Sequence, residues 1–598
     1  GAEAAARPDE APSALTRDAL LAASEEERAR LLGAWLQGRL ARALAVPAGA
    51  LDPTRPLTAL GLDSIHAVEL KGALEEELGI ALPVALLLEG VHLEALTARA
   101  LAELRHPTAV LPPLEAGARG DAPLSYAQER LLFLEQLSAG SAAYNIPAAV
   151  ELEGTLDVAA LGRGLEEILR RHEVLRTRFP RVGGRFTQDV VAPGGVPAPL
   201  SGPGAVVDLS GLPEAQRQAE AERLTAEEAR RPFHLERELP VRARLLRLSE
   251  RQHRLLLTLH HVVSDGWTMG VLVRELGALY GAFAQGRPSP LPPLPVQYAD
   301  HAAWLRRWLE GGELASQLSW WKERLAGAPP LLELPTDRPR PDAQRFEGAR
   351  HPLALSPALT TGLRQLAQAE GATPFMTLLA GFLVVLHART GRTDLVVGTD
   401  VANREHARTQ GLIGLFVNQL VLRVGLEGNP AFRALLGRVR EVALGGYARP
   451  HVPFDKLVEA LRPPRDARFN PLFQVMFVLE NAPLPALKLP GLELRQVDVD
   501  DGGSPFDLSV LLSESGGRFH GVLRYATALF DAPTMARLAA DYEAVLATAV
   551  ARPDVTLEEL RQVLAEQERQ RQQARAQEVQ SARKELFRGV RRKSGGES

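Results

Sequence analysis

Apolar residues at helical spacing dominate the first hundred positions of the chain. Ser24 and Glu27 fit the capping box that begins a helix, in which each side chain satisfies the other residue's backbone N–H group. The pattern predicts a small all-α bundle over residues 24–105, preceded by an Ala- and Pro-rich, disordered lead-in over residues 1–23. Its apolar faces repeat every three to four residues and comprise Leu31, Leu32, Trp35, Leu36 and Leu40, then Ala67, Leu70, Leu74 and Leu78, then Leu93, Leu96, Leu101 and Leu104.

The pattern changes after residues 106–121, whose Pro- and Gly-rich composition predicts a linker. Helical and β-type segments then alternate, which indicates an α/β unit too large for one core and hence two lobes, 122–295 and 296–552. Residues 553–598 are rich in Glu, Gln, Arg and Ala, which predicts a charged helical tail or a linker to a further domain. The predicted helices are 158–171, 214–231 and 269–283, and the predicted strands are 254–259 and 395–398.

Composition excludes several classes of protein. The 598 residues are 45% apolar and 24% charged, as in ordinary multidomain globular proteins. With 69 Lys and Arg against 73 Asp and Glu, the net charge of −4 argues against a nucleic-acid binder. The count of 0 Cys excludes disulfides, Cys-ligated zinc, iron–sulfur clusters and a cysteine nucleophile. No apolar run approaches the roughly 18 residues of a membrane span, so we expect a cytoplasmic protein without a membrane partner, and the missing initial Met suggests a piece of a longer chain.

Ser64 stands where a loop meets a predicted helix, which allows two interpretations. Asp63 or Ser64 caps the helix, as such residues commonly do. Alternatively, Ser64 carries a phosphate-linked group, because the N–H groups and positive dipole potential of a helix N-terminus favour a phosphodiester. Ile65 and Val68 lie beside the inner face and offer an exposed apolar pair to partner proteins.

The sequence Leu-Thr-Ala-Leu-Gly-Leu-Asp-Ser-Ile at residues 57–65, within a bundle of this size, resembles the phosphopantetheine-dependent carrier domains of the peptidyl or acyl carrier type. The resemblance implies a four-helix carrier bundle with 4′-phosphopantetheine attached covalently to Ser64 by a phosphopantetheinyl transferase. It leaves open whether an amino acid, a peptide or a fatty acid is carried.

A second candidate site follows the predicted strand 254–259 and includes His260, His261, Asp265 and Gly266. Neighbouring side chains of an extended segment face opposite sides, so only one of the two histidines points into a given cavity. A neutral imidazole there accepts a proton from an amine or hydroxyl near pH 7. Asp265 either orients a histidine or pairs with an arginine, and Gly266 permits a tight turn. The alternative is that both histidines are structural, and the segment has too few ligands for a metal site.

The spacing His-His-x-x-x-Asp-Gly resembles the signature of condensation domains from nonribosomal peptide synthetases, relatives of chloramphenicol acetyltransferase. The departures from the family's pattern are Leu132 for Trp, His301 for Phe or Tyr, and Gln419 for Thr, and none of them is a catalytic position. Seven motifs follow the family's order, at residues 125–131, 171–179, 260–266, 298–304, 413–419, 451–454 and 465–474.

What the resemblance implies is an α/β condensation domain of two acetyltransferase-like lobes with a tunnel between them. The family relies on the second histidine, His261, with His260 in a supporting role. Asp265 is expected to pair with an arginine, for which Arg176 and Arg423 are the candidates, and Asn418 belongs to the supporting set.

The predicted function is amide-bond formation, in which a carrier-bound aminoacyl amine attacks the donor thioester on the preceding carrier. The expected partners are a downstream acceptor carrier, an upstream adenylation or acyl-loading enzyme, and the tethered substrates. Two alternatives are an epimerisation domain, which also follows a carrier and keeps both histidines, and a non-catalytic recruitment domain of the same fold. The complete second motif argues against the first alternative, and the retained histidine pair argues against the second.

Overall fold

The structure is a computed structural model. It describes residues 15–44, 46–47, 49, 51–57, 60, 62, 64–80, 82, 86–87, 91–105, 112–117, 122–137, 140–464, 466–480 and 489–594.

The first unit is a helical bundle, as predicted. Ser24 caps the second helix by accepting a hydrogen bond from Glu27 N–H. The leucines of the predicted faces, among them Leu36, Leu74 and Leu96, are buried in one common core, except Leu31, which is partly buried against it. Its helices are α1 (Arg17–Ala22), α2 (Glu25–Ala43), α3 (Ser64–Leu78) and α4 (Leu93–Arg105).

The predicted lead-in is too long, because α1 lies inside residues 1–23. Thr16 caps this helix through Ala19 N–H, and Leu20 is fully buried in the bundle core. A single buried leucine in a six-residue helix gives too weak a periodic signal to be detected in an Ala-rich sequence. The remainder of the predicted lead-in, residues 1–14, lies outside the described residues.

The first lobe is a five-stranded sheet with helices packed against it. Its strand order is β13-β1-β8-β7-β6, in which β6 and β7 are parallel and the other pairs are antiparallel. Its elements are α5 (Tyr126–Leu137), β1 (Asn145–Gly154), α6 (Val158–Arg171), β2 (Thr177–Arg178), β3 (Arg181–Val182), β4 (Arg185–Phe186), β5 (Asp189–Val190), β6 (Val206–Asp208), α7 (Glu214–Arg230), β7 (Val241–Arg247), β8 (Gln252–His260), α8 (Gly266–Phe283) and α9 (Tyr298–Trp308).

The second lobe is a six-stranded mixed sheet of order β11-β10-β12-β14-β15-β9. Its central helix is buried at every position from Phe375 to Leu386, as expected for a helix that is apolar on all sides. The elements are α10 (Leu314–Leu325), β9 (Gly348–Ala354), α11 (Pro357–Ala369), α12 (Pro374–Thr390), β10 (Asp394–Val401), β11 (Asn418–Gly425), α13 (Phe432–Tyr447), α14 (Phe454–Leu461), β12 (Val475–Glu480), β13 (Leu492–Val497), β14 (Leu508–Ser515), β15 (Arg518–Ala526), α15 (Ala532–Ala551) and α16 (Leu557–Ser594).

The predicted lobe boundary at residues 295 and 296 is wrong, because the lobes exchange segments. Strand β13 lies between strands of the second lobe in sequence, but it pairs with β1 in the sheet of the first lobe. Helix α9 and residues 412–416 also pack into the first core. A segment belongs to the lobe with which it forms hydrogen bonds and packs. A single boundary in the sequence cannot describe lobes that exchange segments.

The predicted tail is also partly wrong. Helix α16 begins with Leu557, Leu560 and Leu564 buried in the core of the second lobe, and Arg571 pairs with the buried Asp541. The first turns of this helix are therefore part of the second lobe.

No single helix in the described part of the chain meets the length and apolarity of a membrane span; α11 and α12 meet them only as a pair bent by 106°. The described residues contain no cluster of three or more His, Asp or Glu side chains arranged to bind a metal.

Candidate active site

The double histidine lies where β8 ends and α8 begins. A 3₁₀ turn over His261–Val263 joins the two elements. The backbone of this turn is fixed to β1, because His261 N–H donates to Tyr144 O over 2.9 Å. His260 is buried, whereas His261 keeps part of its surface exposed. The two histidines therefore differ in burial, and the difference arises because the strand ends at His260 and His261 begins the turn.

The hydrogen bond of the His261 ring fixes its tautomer. Nδ1 lies 2.7 Å from Ser264 O. A carbonyl oxygen only accepts hydrogen bonds, so Nδ1 carries the proton and Nε2 of the neutral ring keeps its lone pair. Burial, the largest effect, lowers the pKa of His261, against the smaller opposing effects of Ser264 and Asp265. The imidazole is therefore neutral near pH 7, with Nε2 available as a hydrogen-bond acceptor and base.

His260 supports this arrangement without facing a substrate. Its Nδ1 accepts a hydrogen bond from Val262 N–H over 3.1 Å, and its Nε2 lies 3.6 Å from a carboxylate oxygen of Glu135. The ring packs edge-on against Phe233 at 5.7 Å between centroids. These contacts confine the first histidine to holding the turn.

Asp265 caps α8 and anchors the turn from the other side. It accepts hydrogen bonds from Thr268 N–H over 2.9 Å and from Phe416 N–H over 3.0 Å. Arg404 Nη2 completes the set at 3.1 Å. The carboxylate of Asp265 therefore has a structural role, which agrees with the interpretation in which Asp265 pairs with an arginine. Gly266 does not have a left-handed backbone, and an added Cβ would meet no atom, so the turn at this position does not depend on glycine.

The arginine that pairs with Asp265 is Arg404, and both candidates from the sequence are wrong. Arg176 donates to Val191 O and lies 3.5 Å from Glu173. Arg423 pairs with Asp394 on the neighbouring strand, at 2.8 Å. Each of these two arginines has a partner close by in sequence or in its own sheet. Asp265 pairs instead with Arg404, which lies 139 positions away in sequence.

Arg404 is enclosed completely, with 0% of its surface exposed. Its Nη1 donates to the carbonyl oxygens of Thr409 and Leu412, both at 2.7 Å, and its guanidinium lies 3.8 Å from the ring centroid of Phe416. Asn403, in the left-handed region at φ 49°, begins the turn that precedes it. This arginine therefore ties residues 402–412 to the active-site segment.

Asn418 stands at the start of β11. Its side-chain amide donates to Pro450 O and Val452 O, both at 2.7 Å. These bonds hold the turn that precedes α14 against the second sheet, so Asn418 has a supporting role within the second lobe.

The first and fourth motifs lock the turn in place. Ser125 and Gln128 cap α5 reciprocally, and Gln128 Nε2 donates to Val262 O over 3.2 Å. Tyr298 O–H donates to Leu415 O over 2.6 Å and accepts from Ser125 O–H over 2.7 Å. The motifs that lie far apart in sequence thus converge on one hydrogen-bonded frame.

The second motif adds a buried ionic network behind the turn. Glu275 on α8 binds Arg171 Nε at 2.9 Å and His172 Nε2 at 2.8 Å. Ile413 N–H approaches His172 Nδ1 at 3.4 Å, so the neutral ring has its proton on Nε2 and donates it to Glu275. Helix α8 is thereby tied to α6 and to residues 412–416.

His301, the residue that replaces Phe or Tyr of the family, is buried between Tyr298, Trp304 and Phe416. Burial, with smaller effects of Arg404, His406 and His451 in the same direction, lowers the pKa of His301 to about 3. The imidazole of His301 in the folded protein is therefore neutral down to strongly acid pH.

This lowered pKa predicts an acid-sensitive fold. In the unfolded chain His301 binds a proton near its ordinary pKa of about 6.5, whereas in the folded protein it does not. The free energy of unfolding should therefore fall by about 2 kcal/mol between pH 7 and pH 5. His301→Phe should remove that part of the loss. Urea denaturation midpoints of both proteins at the two pH values measure it, and an identical pH dependence would contradict the prediction.

Ser64 begins α3, the longest helix of the bundle after α2. Its side chain, and residues 61 and 63 of the preceding loop, lie outside the described residues, as do the side chains of Ile65 and Val68. The described backbone fits a phosphodiester at this position, because the first N–H groups of a 15-residue helix lack helical acceptors and face its N-terminus.

The chain matches two protein families: the phosphopantetheine attachment site over residues 34–100 and the condensation domain over residues 118–572. A linear gramicidin synthase protein of Brevibacillus parabrevis is 45% identical over 72% of this chain and 8% of that protein. Phosphinothricin tripeptide synthetase PhsB of Streptomyces viridochromogenes is 40% identical over 83% of this chain and 42% of that protein. The chain thus spans less than half the length of these relatives.

Two solved structures have a similar fold. The X-domain from teicoplanin biosynthesis aligns with a TM-score of 0.68 at 29% identity, over 75% of this chain and 99% of the X-domain. The first condensation domain of the calcium-dependent antibiotic synthetase aligns with a TM-score of 0.62 at 22% identity, over 74% of this chain and 99% of that domain. The second likeness shows the fold alone.

Proposed function

Since the chain belongs to the condensation-domain family of nonribosomal peptide synthetases and has a phosphopantetheine attachment domain ahead of its condensation domain, we propose that it joins a donor acyl group to an acceptor amine through an amide bond. The observation that carries the proposal is the free Nε2 of His261, fixed as an acceptor by the bond from Nδ1 to Ser264 O. An amine nucleophile needs such an acceptor for its proton.

When bound at Ser64, 4′-phosphopantetheine supplies the thiol that carries the donor as a thioester. His261 Nε2 accepts a hydrogen bond from the acceptor amine and takes its proton as the C–N bond forms. The proton that His261 accepts would then pass to the thiol that leaves when the donor thioester is opened. The frame of Gln128, Asp265 and Arg404 keeps the imidazole in one orientation. Holding both reactants beside it supplies about 7–11 kcal/mol of the barrier reduction.

The attachment at Ser64 is directly testable. Incubation of the chain with a phosphopantetheinyl transferase and coenzyme A should add the mass of one phosphopantetheine arm, because the helix N-terminus at Ser64 receives the phosphate. Intact-mass spectrometry of the chain and of Ser64→Ala measures this, with Ser24→Ala, which also alters a helix N-terminus, as the control. Labelling that survives in Ser64→Ala would refute the assignment.

A non-catalytic recruitment domain is the second candidate, favoured by the likeness to the X-domain, which forms a complex with OxyB in teicoplanin biosynthesis. In a non-catalytic recruitment domain the histidine pair would have no catalytic role. The oriented Nε2 of His261 supports catalysis instead. Amide formation by the loaded chain, followed by mass spectrometry of the product, separates the two candidates.

We further propose that the partners are an acceptor carrier, an adenylation or acyl-loading enzyme and the phosphopantetheinyl transferase, and that the protein acts in the cytoplasm. The support is the family context, in which carrier, adenylation and condensation units work together.

A further inference from the structure

The carrier bundle contacts one loop of the condensation domain, residues 402–410, which we call the docking loop, and it also packs against Leu444 and Tyr447 of α13. Lys71 of α3 is only 3% exposed and its ammonium group donates to Glu405 O over 2.9 Å. The next residue, Gly72, lies so close to the loop that an added Cβ would collide with the amide of Gln410. Two consecutive positions of one helix therefore contact the loop, near its middle and at its end.

The same loop holds the active-site segment on its inner side. Arg404, adjacent to Glu405, pairs with Asp265. Gln410 itself accepts a hydrogen bond at its backbone oxygen from the indole N–H of Trp267 over 2.9 Å. The contacts of Lys71 and Gly72 with the loop are thus at most one residue away from a contact with the segment that carries His261.

The loop is held in a compact form by its own contacts. Arg404 closes it by binding Thr409 O, and Glu405 binds His451 Nε2 at 3.3 Å on its outer face. The side chain of Lys71 is held at this face by Glu75 at 2.6 Å. Glu405 is thus bonded to the carrier and is the neighbour in sequence of Arg404, whose guanidinium positions Asp265.

The linker between the domains is fixed to the same place. Leu114 N–H approaches His406 Nε2 at 3.4 Å, and Arg408 Nη1 donates to Leu114 O over 2.8 Å. Gly117 N–H donates to Asp300 over 2.8 Å. An anchored linker keeps the carrier at a high local concentration beside the docking loop.

We propose that carrier docking and the ordering of the catalytic segment are coupled through the docking loop: contacts of Lys71 and Gly72 with residues 405 and 410 stabilise the geometry of residues 261–268, and the ordered segment in turn favours the docked carrier. The inference deepens the proposed function but rests on contacts in the full chain that exist whether or not an amide is formed. Reciprocity of this kind is required of any coupling between two binding equilibria.

Hydrogen–deuterium exchange of the full chain tests the coupling. The reporter amides are those of Thr268, Gly414 and Phe416, which donate to Asp265 or Thr268 side chains. Gly72→Gln should weaken docking, because the new side chain must displace the side-chain amide of Gln410, and should raise their exchange by about 5–150-fold. Gly38→Gln is the matched control, because Gly38 also lies in a carrier helix but an added Cβ there meets no atom.

Lys71→Met provides a second variant that keeps the helix and the apolar stem but removes the hydrogen bond to Glu405. It should raise reporter exchange in the same direction, while amides of the ladder between β14 and β15 stay at wild-type rates. In the reverse direction, Trp267→Phe removes the bond to Gln410 and should raise exchange in α3.

Faster exchange of α3 and the docking loop in Gly72→Gln and Lys71→Met with unchanged reporter amides would overturn the proposal. Unchanged exchange everywhere would overturn it as well, since the carrier would then not be docked in solution. The chain could also form no amide with any donor while the variants still lose protection at the reporter amides. That result would contradict the proposed function but not the coupling.

Discussion

His261→Ala is expected to slow amide formation by about 10²–10⁴-fold, the usual contribution of a positioned general base. The variant removes the ring whose Nε2 is left as an acceptor by the bond of Nδ1 to Ser264 O, at a residue that is half-buried where His260 is buried. The measurement uses the chain loaded at Ser64 from a set of acyl-coenzyme A donors. An aminoacyl N-acetylcysteamine thioester serves as the acceptor, and single-turnover product is followed by mass spectrometry.

His387→Ala is the matched control for this experiment. Its Nδ1 also lies 2.8 Å from a backbone carbonyl oxygen, that of Arg392, but it stands at the end of α12 in the second lobe. It should react at the wild-type rate. A near-normal rate for His261→Ala would remove the histidine from the mechanism, and a loss confined to the acceptor KM would assign it to positioning rather than proton transfer.

Arg404→Met should be the most destabilising single change at the site, by about 3–5 kcal/mol, because it leaves the Asp265 carboxylate buried without a compensating charge. The free energy of unfolding of the condensation domain, from urea denaturation, measures it. The cost should fall when Asp265 is replaced by Asn in the same chain, since the uncompensated charge is then absent.

Arg423→Met provides the comparison, since Arg423 pairs with Asp394 at a partly exposed position of the second sheet. Its loss should cost no more than about 1 kcal/mol. Equal destabilisation by the two variants would show that Arg404 does not neutralise a buried charge.

Local sequence rules accounted for the elements whose signals are local. The capping box at Ser24 and the apolar faces of α2, α3 and α4 were predicted correctly because helix periodicity and capping involve residues within four positions of one another. The end of β8 before the histidine pair was placed to within one residue for the same reason.

The residues that sequence reasoning missed are those whose role depends on distant partners. Arg404 carries no local signal in a chain with 69 Lys and Arg residues, and its partner lies 139 positions away. Strand β13 alternates weakly and gives no indication of which sheet it joins. A signal was available for α16, since Leu557, Leu560 and Leu564 fall on one helical face, but the charged composition that follows obscured it.

Strand β13 has a mechanical consequence for the molecule. It pairs with β1 over six residues, from Ala149 with Val497 to Gly154 with Leu492, so the lobes are linked a second time beyond their covalent connection. A protease nick near residue 295 would not release two halves, because the severed parts would stay clasped through this ladder. A chain expressed as separate halves would leave β1 as an unpaired sheet edge, prone to aggregation.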